Sequence, residues 1–282
     1  MTKLNQLLTG ILFLGTTIAS AQLKTPAPSP LQTVKQAFAL SEITVEYSRP
    51  SAKGRTVYGD LVPYGKVWRT GANGATKITF GEDVKLEGTP VAAGTYALYT
   101  VPNKDSWEIM LYKDLTLGGN VAEYKTENEL LRVKVKPTTT SDKTETFTID
   151  IANMTANTAS IELVWEKTRV AIKIEAEIDS KIMKNIEAAM APEDKRPYFS
   201  AARYYYENNK DMNQALTWVN KATEQTPKAY WVFLLKANIQ MKLNDKKGAT
   251  ETAEQVKVLA TEDKNDDYVK MAQKIIDDAK KK

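Results

Sequence analysis

The sequence predicts an α+β protein in which an antiparallel β-sandwich is followed by a short array of α-helices. In residues 41–178, short segments alternate apolar and polar side chains with a period of two, and turn residues separate them. From residue 179 the apolar period lengthens to that of an α-helix. Within this helical part, a pattern of residues repeats after 34 positions. We therefore expect a β-domain over residues 41–178 and a helical domain over residues 179–282.

The first 21 residues are predicted to be a cleaved signal peptide. Lys3 supplies the positive start, residues 7–15 form an apolar run, and Ala19-Ser20-Ala21 fits the small-x-small pattern of a cleavage site. The apolar run is well short of the roughly 20 residues that span a bilayer, and no later segment is apolar enough to do so. We expect no transmembrane segment and an exported chain, periplasmic or secreted, that begins at Gln22.

Composition excludes several kinds of chemistry. The 282-residue chain has no Cys and no His, so the usual zinc ligand sets, thiol nucleophiles and His-based triads are excluded. A net charge of +4 is too mild to indicate a nucleic-acid partner. A metal site would have only oxygen ligands, which would suit calcium or magnesium. We predict no cofactor and no metal site.

The β-domain is preceded by a predicted linker over residues 22–40. Pro26, Pro28 and Pro30 favour an extended chain there, and residues 31–40 are interpreted as a transitional piece or an edge strand. Alternation then predicts strands, because successive side chains of a strand face opposite sides of the sheet. The predicted strands are residues 43–47, 77–80, 84–86, 95–101, 107–111, 131–135, 147–151, 161–165 and 170–174. The last two are expected to pair across a turn at residues 166–169.

The helical domain carries the internal repeat. After a first helix that ends near Pro192, four residues recur 34 positions later: Asp211, Ala215, Val219 and Ala222 as Asp245, Ala249, Ala253 and Val256. This pattern resembles the tetratricopeptide repeat, in which a small alanine lets two helices approach closely. The Trp-Leu-Gly start of that repeat is missing. Because two repeats are fewer than usually fold alone, we expect this domain to contact the β-domain or a protein partner.

Aromatic residues also stud the helical domain, and they have two interpretations. Packing between helices is favoured, because helical spacing places several of them on the inner face. An exposed groove for a peptide is the alternative. The residues are Tyr204, Tyr205, Tyr206, Trp218, Tyr230 and Trp231.

Residues 48–79 are the candidate ligand-binding stretch, because arginine, aromatic and glycine residues are interleaved there most densely. Arginine presents a planar fork that suits carboxylate or phosphate, and flat aromatic faces line small-molecule pockets. In the alternative, structural interpretation, Trp68 belongs to the core and the arginines pair with Glu42, Glu46 or Asp60. The candidate ligand-binding residues are Arg49, Arg55, Tyr58, Tyr64, Trp68, Arg69 and Asn73, and we predict no catalytic residue.

Five strings of the β-domain carry a family resemblance. They are ITVEYSRPSAKGR (residues 43–55), LVPYGKVWRTGANGAT (61–76), AGTYALYTV (93–101), WEIML (107–111) and LRVKVKP (131–137). With residues 163–174, they resemble an exported bacterial family, domain of unknown function 2911, over roughly residues 41–174. The resemblance implies export and no established activity, ligand or catalytic residue.

These observations favour a non-catalytic binding or assembly module. The helical repeats would contact a protein partner, and the β-domain would hold a small anionic or carbohydrate ligand. The alternative is a hydrolase that acts on an envelope polymer with carboxylate chemistry, since the spatial separation of two carboxylates cannot be read from a sequence.

Overall fold

The computed structural model describes residues 25–191 and 196–281. The predicted signal peptide lies outside the described residues, so its cleavage stays a prediction. The chain divides into two compact units, with the boundary between Ala176 and Glu177. In the described part of the chain, none of the helices has the length and apolarity needed to cross a membrane.

The first unit contains two antiparallel sheets. In chain order, the strands are β1 (Leu31–Phe38), β2 (Ser41–Ser48), β3 (Ala72–Phe80), β4 (Val84–Leu86), β5 (Thr89–Val91), β6 (Gly94–Val101), β7 (Trp107–Tyr112), β8 (Glu129–Val135), β9 (Thr138–Ala152) and β10 (Thr158–Ala176). One sheet has six strands in the order β1-β2-β3-β6-β7-β8, and the other has four in the order β5-β4-β10-β9. With the helices that follow, this confirms the α+β class.

Strand β1 agrees with the edge-strand interpretation of residues 31–40. Residues 31–38 are a strand at the edge of the six-stranded sheet, paired with β2 from Leu31↔Ser48 to Phe38↔Ser41. The two-residue connection allows this pairing because Ala39 takes a left-handed φ of 54°. No proline lies within residues 31–38, so every backbone amide of β1 can donate a hydrogen bond. Of the two interpretations of residues 31–40, the structure has the edge strand.

Strand β10 doubles back on itself. The N–H of Ala176, at its end, donates a 2.8 Å hydrogen bond to the carbonyl of Asn157, just before its start. Glu166, near the middle, takes a left-handed φ of 50°, and Arg169 pairs with Glu162 at 2.7 Å. The first half pairs with β9 and the end pairs with β4. The reversal lies where the sequence predicts a turn.

The inner faces of the two sheets share one core. Tyr47 of β2 packs edge-on against Phe147 of β9, with ring centroids 5.8 Å apart. Its hydroxyl accepts a 2.8 Å hydrogen bond from the N–H of Ile149. Trp107 of β7 and Trp165 of β10 are also fully buried. Alternation places Tyr47 of β2 and Phe147 of β9 inward, whereas β6 and β7 bury side chains on both faces.

The second unit is helical. Its helices are α1 (Asp179–Met190), α2 (Tyr198–Glu207), α3 (Met212–Gln225), α4 (Tyr230–Lys242), α5 (Lys246–Glu262) and α6 (Asp266–Lys280). From α2 onward, helices that are neighbours in sequence are in contact. Most of the aromatic residues of this unit pack between helices; Tyr205, for example, meets Trp218 at 4.7 Å.

Residues of the 34-residue repeat hold equivalent places in this unit. Asp211 caps the N-terminus of α3 by accepting from the N–H groups of Asn213 and Gln214. Asp245 caps α5 by accepting from the N–H of Gly248. Ala215 and Ala249 are both fully buried. Each aspartate satisfies amides that have no partner within the helix.

Candidate functional site

The candidate stretch connects β2 to β3 and lies beside the end of β6. The N–H of Trp68 donates to the carbonyl of Thr100 at 2.7 Å, and the N–H of Thr100 donates back at 2.9 Å. The N–H of Gly65 donates to the carbonyl of Pro102 at 3.0 Å. The stretch is therefore fixed to the six-stranded sheet by backbone hydrogen bonds.

Arg49 and Arg55 have structural partners. Arg49 donates to the carbonyl of Phe147 at 3.1 Å and to the hydroxyl of Thr148 at 2.8 Å. Arg55 donates to the carbonyls of Ala52 and Ser51, within its own turn. Glu42 and Glu46, which the structural interpretation assigned to arginines, pair with lysines instead.

Trp68 lies in an aromatic cluster in the core. Its ring stacks on Trp165, with centroids 6.0 Å apart, and meets Phe147 at 5.0 Å. Its indole N–H donates to the carbonyl of Gly71 at 3.1 Å. Gly71 has a φ of 156°, and a Cβ there would come within 3.0 Å of the carbonyl oxygen of Ser48. The contacts of Trp68 therefore stabilise the fold.

Asn73 ties β3 to the end of β2. Its φ is 57°, a left-handed conformation that asparagine tolerates better than most residues. Its side-chain amide donates to the hydroxyl of Ser48 at 3.2 Å and to the carbonyl of Ser29 at 3.3 Å. These bonds hold the start of β3 against the end of β2.

Tyr58 is buried in the core, whereas Tyr64 lies at the surface. Tyr58 is only 9% exposed, and its ring meets Trp107 at 5.1 Å. Burial raises the pKa of its phenol far above the ordinary value. Tyr64 is 38% exposed, and its ring lies over Gly59, where a Cβ would come within 2.9 Å of it.

Tyr64 lines an open cleft of about 430 Å³, which we call the Tyr64 cleft. A smaller pocket of about 80 Å³ shares Tyr64, Asn103 and Lys104 with it and reaches Tyr58. Glu108 is bound to Arg132, whereas Lys104 and Lys134 form no ion pair within the described ranges. The lining residues are Tyr64, Asn103, Lys104, Asp105, Ser106, Glu108 and Lys134.

Sequence reasoning missed most of this cleft. Residues 102–105 have the composition of a turn, and Lys134 lies on the polar face of a predicted strand. Neither feature has a spacing that indicates a ligand. The signal is purely spatial, because β7 and β8 are paired and Glu108 lies opposite Lys134.

Arg69 lies elsewhere, against the loop that connects β7 to β8. Its Nη1 donates to the carbonyl of Gly119 at 3.4 Å, and its Nε is buried with no hydrogen-bond partner among the residues that the structure describes. Beside it, the hydroxyl of Tyr99 donates to the carbonyl of Gly118 at 2.7 Å. Burial raises the pKa of Tyr99 to about 12.

The structure therefore separates the seven candidate residues. Tyr58 and Tyr64 flank the Tyr64 cleft and its side pocket, and the remaining five do not line either cavity. Arg49, Arg55 and Arg69 have different partners and do not converge on one point.

Several carboxyl groups of the chain have a lowered pKa. Hydrogen bonds from Thr116 lower the pKa of Asp114, and those from Ser180 lower that of Glu177. Lys210 and Tyr204 lower the pKa of Asp179 in the same way. A general acid needs a raised pKa, so these groups are poor candidates. Over residues 25–191 and 196–281, no group of three His, Cys, Asp or Glu side chains is arranged to hold a metal ion.

Comparison with known proteins gives one match. The model of the family described as "Protein of unknown function (DUF2911)" matches residues 29–174, which is just over half of the chain and contains most of both sheets. No curated protein and no solved structure matches the chain.

Proposed function

We propose that this chain, which belongs to the family of unknown function DUF2911, is an exported, non-catalytic binding module. In this proposal the two sheets act as a β-sandwich scaffold, and the helices form a tetratricopeptide-like array that contacts protein. The shared core of the sheets supports the first part. The equivalent capping residues Asp211 and Asp245 support the second.

The Tyr64 cleft is the observation that carries the proposal. It combines an exposed aromatic ring with an amide, a hydroxyl and two lysines that have no described ion-pair partner. Binding sites for small molecules combine an apolar surface with a few polar groups that orient the ligand. Two carboxylates, those of Asp105 and Glu108, also line the cleft, and Glu108 is held by Arg132.

The side chains of the cleft suit a small carbohydrate or anionic ligand. The face of Tyr64 offers a flat apolar surface for the C–H groups of a sugar, while Asn103 and Ser106 offer hydrogen bonds to hydroxyl groups. Lys104 and Lys134 offer positive charge to a carboxylate or phosphate group. A volume of about 430 Å³ is within the usual range for small-molecule sites.

The helical unit offers a surface for a protein partner. Trp231 on α4 is 45% exposed and lines a shallow groove with Lys228, Tyr230 and Glu262. The hydroxyl of Tyr230 donates to Asp263 at 2.9 Å, which fixes its ring beside Trp231. Tryptophan and tyrosine are enriched among the residues that dominate protein interfaces.

The hydrolase alternative has less support. Its general acid would be a carboxyl group whose pKa is raised, as in a buried site. The pKa of Asp114, Glu177 and Asp179 is lowered instead, so none of these three groups is such an acid.

Thermal-shift and calorimetric titrations with a panel of neutral sugars, sugar acids and organic acids test the Tyr64 cleft. A ligand that binds only the native state raises the melting temperature. Tyr64→Ala and Lys134→Gln should abolish that rise. The matched controls Tyr96→Ala and Lys35→Gln, which lie outside the cleft, should retain it. A rise that survives in both cleft variants would reject this site, and mass spectrometry that finds Met1 on the exported chain would reject the proposed processing.

A further inference from the structure

Arg69 differs from the other four arginines of the first unit in the hydrogen bonds of its guanidinium group. In the other four, Nε and Nη2, which form one edge of the guanidinium, both have partners. Arg49 and Arg55 use this edge to donate to carbonyl and hydroxyl oxygens. Arg132 and Arg169 use it to bind Glu129 and Glu162. This edge is the part of arginine that binds a carboxylate with two parallel hydrogen bonds.

In Arg69 the same edge has no protein partner among the described residues. Nε is buried and has no hydrogen bond to any described residue, and within those residues the one hydrogen bond of this side chain is the 3.4 Å contact from Nη1 to the carbonyl of Gly119. No carboxylate forms an ion pair with it in the described part of the chain. A buried charged donor without a partner is costly, so the fold gains nothing from this edge as it stands.

The phenol of Tyr99, beside Arg69, has its hydroxyl engaged elsewhere and belongs to a cluster with Tyr112 and Tyr124. Tyr99 donates to the carbonyl of Gly118 at 2.7 Å. Tyr112 accepts from the N–H of Lys125 at 3.1 Å, and Tyr124 donates to Glu129 at 3.0 Å. The three rings stack and meet edge-on, with centroids 4.7–5.3 Å apart. Because Nε of Arg69 is itself buried, an opposite charge placed there is bound more strongly than in water.

We propose that the Nε–Nη2 edge of Arg69 binds an oxyanion, the carboxylate or phosphate group of a small molecule. The anion reaches this edge by displacing residues 118–119. The side-chain bonds that hold these residues are one from the Tyr99 hydroxyl and one long bond from Arg69 itself. Arg69 does not line the Tyr64 cleft, so this second site does not depend on the function proposed above.

Nuclear magnetic resonance of the arginine Nε–H groups of the full mature chain tests the site directly. The probes are acetate, succinate and inorganic phosphate, each titrated at constant ionic strength. The Arg69 signal, identified by its loss in Arg69→Lys, should move downfield in a saturable manner with at least one probe. The signal of Arg203, which already pairs with Glu207 on the surface of α2, should not move in that way. A response to carboxylates alone or to phosphate alone identifies the source of the oxyanion. If none of the three probes shifts the Arg69 signal in a saturable manner, the proposal is overturned.

Melting temperatures distinguish a binding role from a structural one. Arg69→Met removes a donor edge that has no protein partner, so the ligand-free variant should melt within about 2 °C of the wild type. Arg49→Met, which removes two made hydrogen bonds, should melt about 4–8 °C lower. Arg69→Met must also lose the stabilisation by the active probe, whereas Tyr64→Ala must keep it. An equal loss of melting temperature in both methionine variants, or stabilisation that persists in Arg69→Met, would show that the arginine is structural and the ion adventitious.

Discussion

Replacing Gly119 by alanine should loosen the loop that covers Arg69. A Cβ at this position would lie far inside van der Waals contact with the carbonyl oxygen of Asn73, and 3.4 Å from Cδ of Arg69. The carbonyl belongs to the backbone of β3, between the paired residues Ala72 and Thr76, so it cannot rotate away as a flexible side chain would. Either the loop or the start of β3 must therefore move.

The size of the effect follows from two opposing terms. Forcing a methyl group into an occupied space costs about 1–3 kcal/mol. Reducing the freedom of the unfolded chain returns about 0.4–1 kcal/mol. We expect Gly119→Ala to lower the free energy of unfolding of the first unit by about 1–2 kcal/mol.

Gly74→Ala is the matched control, because no heavy atom lies within 4 Å of a Cβ there. This variant should gain about 0.4–1 kcal/mol. Amide hydrogen exchange in β3 and β6, whose global opening reports the first unit separately from the helices, measures both values. If the two variants differ by less than about 0.5 kcal/mol, residues 118–119 do not pack on Asn73 as described.

Two further predictions concern the helices and the effect of pH. Ala249→Leu should lower the stability of the helical unit by about 1–3 kcal/mol, because Ala249 is fully buried where α4 and α5 meet, whereas Val258→Leu on the exposed side of α5 should be nearly neutral in the same urea titration. Because burial raises the pKa of Tyr99 from 10.0 to about 12, its contribution to stability should be complete below pH 10 and be lost between pH 10 and 12. Difference absorbance at alkaline pH, compared with Tyr99→Phe, follows this titration, and a Tyr99 that titrates at pH 10 would contradict the burial argument.

The period of the apolar residues predicted most of the strands and the helical second half. Alternation was sufficient where a strand buries one face, as in β2, where Ile43, Val45 and Tyr47 are buried. It was weaker for β1, which has a partner on only one side and exposes residues such as Leu31 along most of its length. An edge strand of this kind buries too little apolar surface to produce a clear pattern.

The residues of the candidate site were harder to predict than the fold, for a physical reason. An arginine in a sequence carries no sign of whether its partner is a backbone carbonyl, a carboxylate or a ligand. Arg49 and Arg55 bond to backbone carbonyls, which every residue possesses, so composition cannot reveal the pairing. Lys134 joins the Tyr64 cleft only through strand pairing with Glu108, and that register involves residues far apart in the chain.

Trp68 and Arg69 are adjacent in the chain but lie in different environments, Trp68 among the aromatic rings of the core and Arg69 against the loop at Gly119. The indole of Trp68 is held among the core rings, and its backbone is fixed on Thr100 by two hydrogen bonds. The core therefore sets the position from which Arg69 extends, so little backbone entropy remains to be lost when its guanidinium takes a partner. This pre-organisation also restricts which substitutions are tolerated. A substitution at position 69 would alter the group that meets a ligand and leave the backbone in place. A substitution at position 68 would move the backbone from which residue 69 extends.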